Sequence, residues 1–118
     1  MTDRGPLASQ WAESASAFFD GDADAFDSLF AVDCVWNSPQ GQIEGSAVIQ
    51  AALKEMRQAL GWQGHEVVGS SEADGLLALL GRNTYARGVR VHVAAGVKFV
   101  DGKVTEIHSV GGLPEVTA

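Results

Sequence analysis

Four side chains in this sequence can orient or attack a carbonyl or hydroxyl: Ser38, Asn83, Tyr85 and His108. A serine hydroxyl cannot accept a proton at neutral pH without help from another base, so Ser38 by itself is a hydrogen-bond donor. Asn83 and Tyr85 are polar groups on an otherwise apolar strand, and buried amides and phenols need partners. A ligand is one candidate partner, with backbone and water as the others. The other histidines are His65 and His92. No two of the three share ligand spacing on a helix, and no nearby Cys or Asp completes a set, so no metal site is expected. His108 is the histidine considered for catalysis. Cys34 has no activating base beside it, which makes it a small buried residue. The aspartates at 20, 22, 24, 27 and 33 suit caps and solvated faces and lack the spacing of a calcium loop. Phosphate loops, nucleophile elbows and dinucleotide fingerprints are absent, and no cofactor is expected.

The elements that must position these groups follow from periodicity. Leu7, Trp11, Ala15, Phe18 and Phe19 fall on one helical face. Pro6 opens that helix and Gly21 closes it. Asp22 is placed as the N-cap of a second, short helix that carries Phe26, Leu29 and Phe30 and ends near Ala31. Asp33 to Ser38 then forms a strand stopped by Pro39, and Gln42 to Glu44 returns beside it. Ser46 caps a third, long helix, on which Val48, Ile49, Ala52, Leu53, Met56, Ala59 and Leu60 recur; Gly61 ends it. Four strands follow, at about His65–Ser70, Leu76–Ala86, Val89–Val100 and Lys103–Val110. Asp74-Gly75, Arg87-Gly88 and Asp101-Gly102 join them as an antiparallel meander. Helices gathered before such a sheet mean an α+β fold. The sheet must curl round the long helix, which leaves a hollow suited to a small ligand.

Trp36 and Ser38 share one face of the first strand, as pocket wall and donor or as core residue and turn closer. Leu77, Leu79, Gly81, Asn83 and Tyr85 share the pocket face of the second meander strand. The run Leu76-Leu77-Ala78-Leu79-Leu80 is apolar on both faces, so its outer leucines need a cover. A second copy is the simplest one, giving a homodimer through the outer sheet face.

The place of His108 depends on the Asp101-Gly102 turn. A two-residue turn pairs Val97 with Glu106 and Ala95 with His108, which puts His108 on the inner face. A three-residue loop with a glycine bulge pairs Val97 with Thr105 and Ala95 with Ile107, which sends His108 outward. The second register is preferred because it groups Arg90, His92, Lys98, Glu106 and His108.

Length and composition set the bounds. The chain has 118 residues, 46% hydrophobic, with 8 Lys plus Arg against 15 Asp plus Glu. That is one domain, residues 1–118, with enough apolar content to fold without disulfides. A net charge of −7 argues against nucleic acid and anionic membrane as partners. A lone cysteine and a start without a signal peptide point to the cytoplasm. No apolar run approaches the ~20 residues of a membrane span.

The segments GDADAFDSLFAVDCVWNSPQGQIEGSAVIQAALKEM and FVDGKVTEIHS, in this order, resemble the nuclear transport factor 2-like superfamily, in its SnoaL-like and ketosteroid-isomerase-like branch. The resemblance runs from about Ser9 to Gly112. It implies a cone-shaped curved antiparallel sheet around a long helix, with two N-terminal helices closing a pocket. The positions it implies for that pocket are Phe18, Trp36, Ser38, Met56, Trp62, Leu79, Asn83, Tyr85 and Ile107. The isomerases carry a general-base carboxylate where this chain has Ser38. Their oxyanion-hole tyrosine falls at about Ser14, and their second acid near Val93-Ala94-Ala95-Gly96. The late aspartate of the cyclases falls in Ser109-Val110-Gly111-Gly112. All of these groups are absent here. The expected function is therefore a pocket for an apolar polyketide-, terpenoid- or steroid-like molecule. Isomerase, cyclase or dehydratase-like chemistry, a non-catalytic carrier and a protein-interaction module all remain open.

Overall fold

The computed structural model describes residues 5–114. It contains two α-helices, α1 (Pro6–Phe19) and α2 (Ser46–Leu60). Its six strands are β1 (Phe30–Ser38), β2 (Gly41–Glu44), β3 (Gly64–Ala73), β4 (Leu76–Thr84), β5 (Arg90–Val100) and β6 (Lys103–Pro114). The fold is α+β. The strands form a single curved, unclosed sheet in the order β2-β1-β6-β5-β4-β3.

The sheet is mixed rather than antiparallel, because β1 pairs with β6 in parallel. Parallel neighbours need a long crossover, and here everything from β2 to β5 lies between them. The other neighbours are antiparallel. The Asp74-Gly75 and Asp101-Gly102 turns have positive φ at both residues (51° and 78°, 51° and 79°). Paired positive φ marks the tight turn that matches strand twist. The Arg87-Gly88 joint is instead a short 3-10 turn, and β4 stops at Thr84.

α1 starts at Pro6 as expected, but its cap comes from across the fold. The Glu72 carboxylate of β3 accepts hydrogen bonds from the Leu7 and Ala8 backbone N–H groups, both at 3.1 Å. Gly5 makes this approach possible, since a Cβ there would lie 2.1 Å from a Glu72 oxygen. At the other end, Arg57 of α2 donates to the Phe18 carbonyl at 2.8 Å, and its guanidinium sits 4.5 Å above the Phe18 ring.

The expected second helix does not form. Residues 22–29 make successive turns with i to i+3 bonds, such as Ala25 N–H to the Asp22 carbonyl. The Asp22 carboxylate does accept from the Asp24 N–H at 3.1 Å, but what it closes is a turn. The residues expected to share one face do lie inward: Phe26, Leu29 and Phe30 are buried. Phe30 already belongs to β1, so that strand begins before Asp33. Ser46 is not the N-cap of α2 either. Gly45 holds that place at φ 97°, and the Ser46 hydroxyl accepts from the Gln50 side chain.

The core lies between the helices and the inner sheet face. Ala8, Ala15 and Phe18 of α1 and Ile49 and Leu53 of α2 meet Leu77, Leu79, Val97, Phe99, Val104 and Ile107. α1 packs on β3 and β4, and α2 packs on β1 and β2. The inner face is thus shared by two helices rather than wrapped around one. Among the described residues, no helix is long and apolar enough to cross a membrane.

Two β-bulges set which residues face inward. In β3, Gly69 pairs with Leu80 but Val67 pairs with Gly81, so Val68 is the extra residue. In β6, Val104 pairs with Phe99 and Glu106 with Lys98, so Thr105 is extra. Each bulge flips the alternation beyond it. The β5–β6 register is neither of the two expected. It has a two-residue turn followed by a bulge, pairing Val97 with Ile107 and Gly96 with His108. The face assignment matches the preferred expectation all the same, because His108 lies outward.

Candidate functional site

Between α1, α2 and the inner sheet face lies a cavity of about 550 Å³. Trp11 and Ala15 from α1, Phe26 and Phe30, and Ile49, Leu53 and Met56 from α2 form much of its apolar wall. Trp36 and Ser38 reach it from β1, Leu79 and Asn83 from β4, Ile107 from β6, and Trp62 and Tyr85 from the adjoining segments. Eight of the nine expected pocket residues therefore line one hollow. Phe18 does not: it is 1% exposed and packs behind the wall against Phe19, Phe26 and Trp62. No lining residue is Asp, Glu, Lys or Arg.

A directed chain of hydrogen bonds runs along the wall. The Trp11 indole N–H donates to His65 Nε2 at 3.0 Å. That bond makes Nε2 an acceptor and leaves the proton on Nδ1. His65 Nδ1 lies 2.7 Å from Asn83 Oδ1, so Nδ1–H donates and the amide oxygen accepts. Asn83 then turns its Nδ2 toward the Tyr85 hydroxyl oxygen, at 3.3 Å. The phenol proton at the end of the chain has no acceptor among the described residues. Gly81 makes room for the imidazole, since a Cβ there would fall 2.6 Å from His65 Cε1. On another part of the wall, the Trp36 indole N–H donates to the Ser109 hydroxyl at 2.7 Å.

His65 is a site residue that sequence reasoning missed, as are Trp11 and Ser109. The His65 pKa is lowered, chiefly by burial, with the Asn83 bond opposing. The folded protein therefore holds a neutral imidazole while the unfolded chain takes up a proton near pH 6.5. Proton uptake by the unfolded state removes stability on the acid side. The His65 contribution should be complete above pH 6.5 and lost progressively as pH falls through that value toward the lowered folded pKa. Urea unfolding between about pH 7 and pH 5 should show wild type losing stability faster than His65→Gln. Parallel curves would mean that the imidazole is not held neutral.

The other candidates lie elsewhere or are already engaged. Ser38 lines the cavity, but its oxygen also accepts from the Gln40 N–H at 3.3 Å and lies 3.3 Å from the Gly41 carbonyl, closing the Pro39 turn. His108 is on the outer face, its side chain 62% exposed and 3.8 Å from Glu106. Cys34 is fully buried; burial first, and then Asp33, push its thiol up to about 11, so it stays protonated. Among the described residues, no three His, Cys, Asp or Glu side chains gather to hold a metal.

The fold recurs in solved structures. A candidate polyketide cyclase from Sinorhizobium meliloti superposes with a TM-score of 0.76 at 17% identity, covering 91% of this chain and 95% of its own. AclR of Streptomyces galilaeus, a candidate hydroxylase, gives 0.72 at 21% identity over 94% and 88%. A candidate ketosteroid isomerase from Kribbella flavida gives 0.72 at 21% identity over 93% and 83%. Identities this low establish a common fold and leave activity to the site. No curated protein matches the sequence. The SnoaL-like domain model matches residues 10–107, most of the chain and nearly all of the cavity wall, and on that match the chain belongs to the SnoaL-like family.

Proposed function

We propose that this protein binds one uncharged, largely apolar small molecule, of polyketide-, terpenoid- or steroid-like character, and holds it in a fixed orientation. The observation that carries the reading is a cavity of about 550 Å³ with apolar walls and no charged side chain in its lining. A charged ligand would lose its hydration there without gaining a counter-charge. Binding is favoured over proton-transfer chemistry because the cavity has no free base. The one imidazole in the lining uses Nε2 to accept from Trp11 and Nδ1 to donate to Asn83. A reducing, cytoplasmic setting suits the single buried thiol.

All three tryptophans of the chain line the cavity, so their emission reports occupancy. Nile red, itself uncharged, should bind with a change in that emission. It should be displaced by 4-cyclohexylcyclohexanone at least tenfold better than by 4-cyclohexylcyclohexanecarboxylate, a difference of about 1.4 kcal/mol or more. Equal displacement by the anion, or no binding of the dye, would contradict the reading.

A second copy on the outer sheet face is part of the same proposal. Leu76, Leu80 and Val110 stand there 54%, 42% and 56% exposed. Lys98, Glu106 and His108 beside them carry both signs of charge, so the face can complement itself. Leu80→Lys would bury an unpaired ammonium in such an interface. Sedimentation at micromolar concentration should show twice the chain mass for wild type and a single chain for the variant; a monomeric wild type would refute the dimer.

A further inference from the structure

The hydrogen-bond polarity of the cavity names the ligand more closely. The strong side-chain acceptors on the wall each already accept one hydrogen bond. His65 Nε2 accepts from Trp11, Asn83 Oδ1 accepts from His65, and the Tyr85 and Ser109 oxygens each accept an N–H. Two hydroxyl protons are left over, and the Trp62 indole N–H on the same wall is also buried without a partner among the described residues. The Tyr85 oxygen takes the Asn83 amide N–H, and the Ser109 oxygen takes the Trp36 indole N–H at 2.7 Å. Neither hydroxyl donates to any group among the described residues, and both side chains line the cavity.

The two donors are well separated. Ser109 stands on β6, opposite Ala95 of β5, while Tyr85 follows the end of β4, with β5 between the two strands. Each hydroxyl oxygen is fixed by an N–H donor, so its proton is directed away from that donor. An apolar ligand that left both protons unmatched would bury two hydroxyls without acceptors, at a cost. A ligand with one oxygen would satisfy one of them.

We infer that the natural ligand carries carbonyl-type acceptor oxygens at two separated positions on an uncharged apolar skeleton, one receiving the Tyr85 hydroxyl and the other that of Ser109. This rests on the cavity reading above and adds the acceptor chemistry and its two anchor residues. A ligand that offers only donors leaves both hydroxyl protons unmatched, so the site discriminates against it.

Three molecules of one carbon skeleton test it: bicyclohexyl, 4-cyclohexylcyclohexanone and 4,4′-bicyclohexanone, each measured by displacement of Nile red. Tyr85→Phe and Ser109→Ala should each weaken the dione by about three- to tenfold, or about 0.6–1.4 kcal/mol. The same variants should change bicyclohexyl by less than about twofold. Ser109→Thr restores the hydroxyl and should restore the affinity, which separates hydrogen bonding from a local disturbance around Trp36. The infrared carbonyl stretch of the bound dione should rise in frequency in both deletion variants. If bicyclohexyl binds and the variants weaken all three molecules alike, or leave the dione unchanged, this inference is overturned while the cavity reading stands. If none of the three binds wild type, the cavity reading fails and the inference falls with it.

Discussion

Replacing Phe18 with alanine should cost about 3–5 kcal/mol of unfolding free energy, a large part of what a domain this size has. The ring is 1% exposed and lies within 5.2 Å, centroid to centroid, of both Phe19 and Phe26, and 6.1 Å from Trp62. It also carries the Arg57 guanidinium at 4.5 Å, and Arg57 in turn holds the Phe18 carbonyl and so the end of α1. Alanine leaves a void at the junction of α1, α2 and the turns at 22–29, where three segments would have to move to fill it. Urea unfolding should show a lower midpoint with an unchanged slope. The milder Phe18→Leu separates packing from binding. It should lower stability while leaving Nile red affinity within about twofold, because Phe18 stands behind the cavity wall. A stability loss under about 1 kcal/mol for the alanine variant would mean that the aromatic cluster is not the core it is described as.

Asn83→Leu should be the most damaging change inside the site itself. Asn83 is 7% exposed and serves two neighbours, accepting from His65 and donating to Tyr85. Leucine has the same branched set of four side-chain heavy atoms with bulkier methyl ends, so the main loss is of hydrogen bonding. His65 Nδ1–H stays buried without its acceptor, at a cost of about 1–3 kcal/mol. Tyr85 loses the amide that directs its hydroxyl. Affinity for 4,4′-bicyclohexanone should fall by about tenfold, or about 1.4 kcal/mol, more than for bicyclohexyl. The variant also removes the one influence that raises the His65 pKa, which leaves burial unopposed and the imidazole still neutral. Dione binding that survived intact, with stability unchanged, would show that the chain from Trp11 to Tyr85 is not a working unit.

Local chemistry written in consecutive residues was legible without the structure. Pro6, Gly61 and the spacing of Ile49, Leu53 and Met56 bound the two real helices, and Asp74-Gly75 and Asp101-Gly102 mark hairpins by residue type alone. The alternation of Leu77, Leu79 and Asn83 assigns the cavity face of β4, and Trp36 with Ser38 that of β1. The Glu72 cap on α1 could not be read, because its partners lie 64 and 65 residues away. The segment at 22–29 looks helical because its inward residues have helical spacing, yet a run this short takes its form from the core it covers.

The identity of the polar centre was decided by tertiary structure through two single-residue bulges. The β3–β4 hairpin, followed without a bulge, would place His65 opposite Thr84 on the outer face; the extra residue at Val68 places it opposite Asn83, inside. The β5–β6 hairpin, followed from its two-residue turn, would bring His108 inside; the extra residue at Thr105 turns it out, beside Glu106. One bulge admits a histidine and the other excludes one. A strand has period two, so one inserted residue exchanges every face beyond it. What selects the bulge is packing from other elements: the Trp11 indole on one histidine, the room left by Gly81, and the burial of Val104 and Ile107 on one side of β6 despite their odd spacing. None of those constraints is local. The sequence therefore determined the elements and most of the cavity wall, and only the folded sheet decided which imidazole faces the cavity.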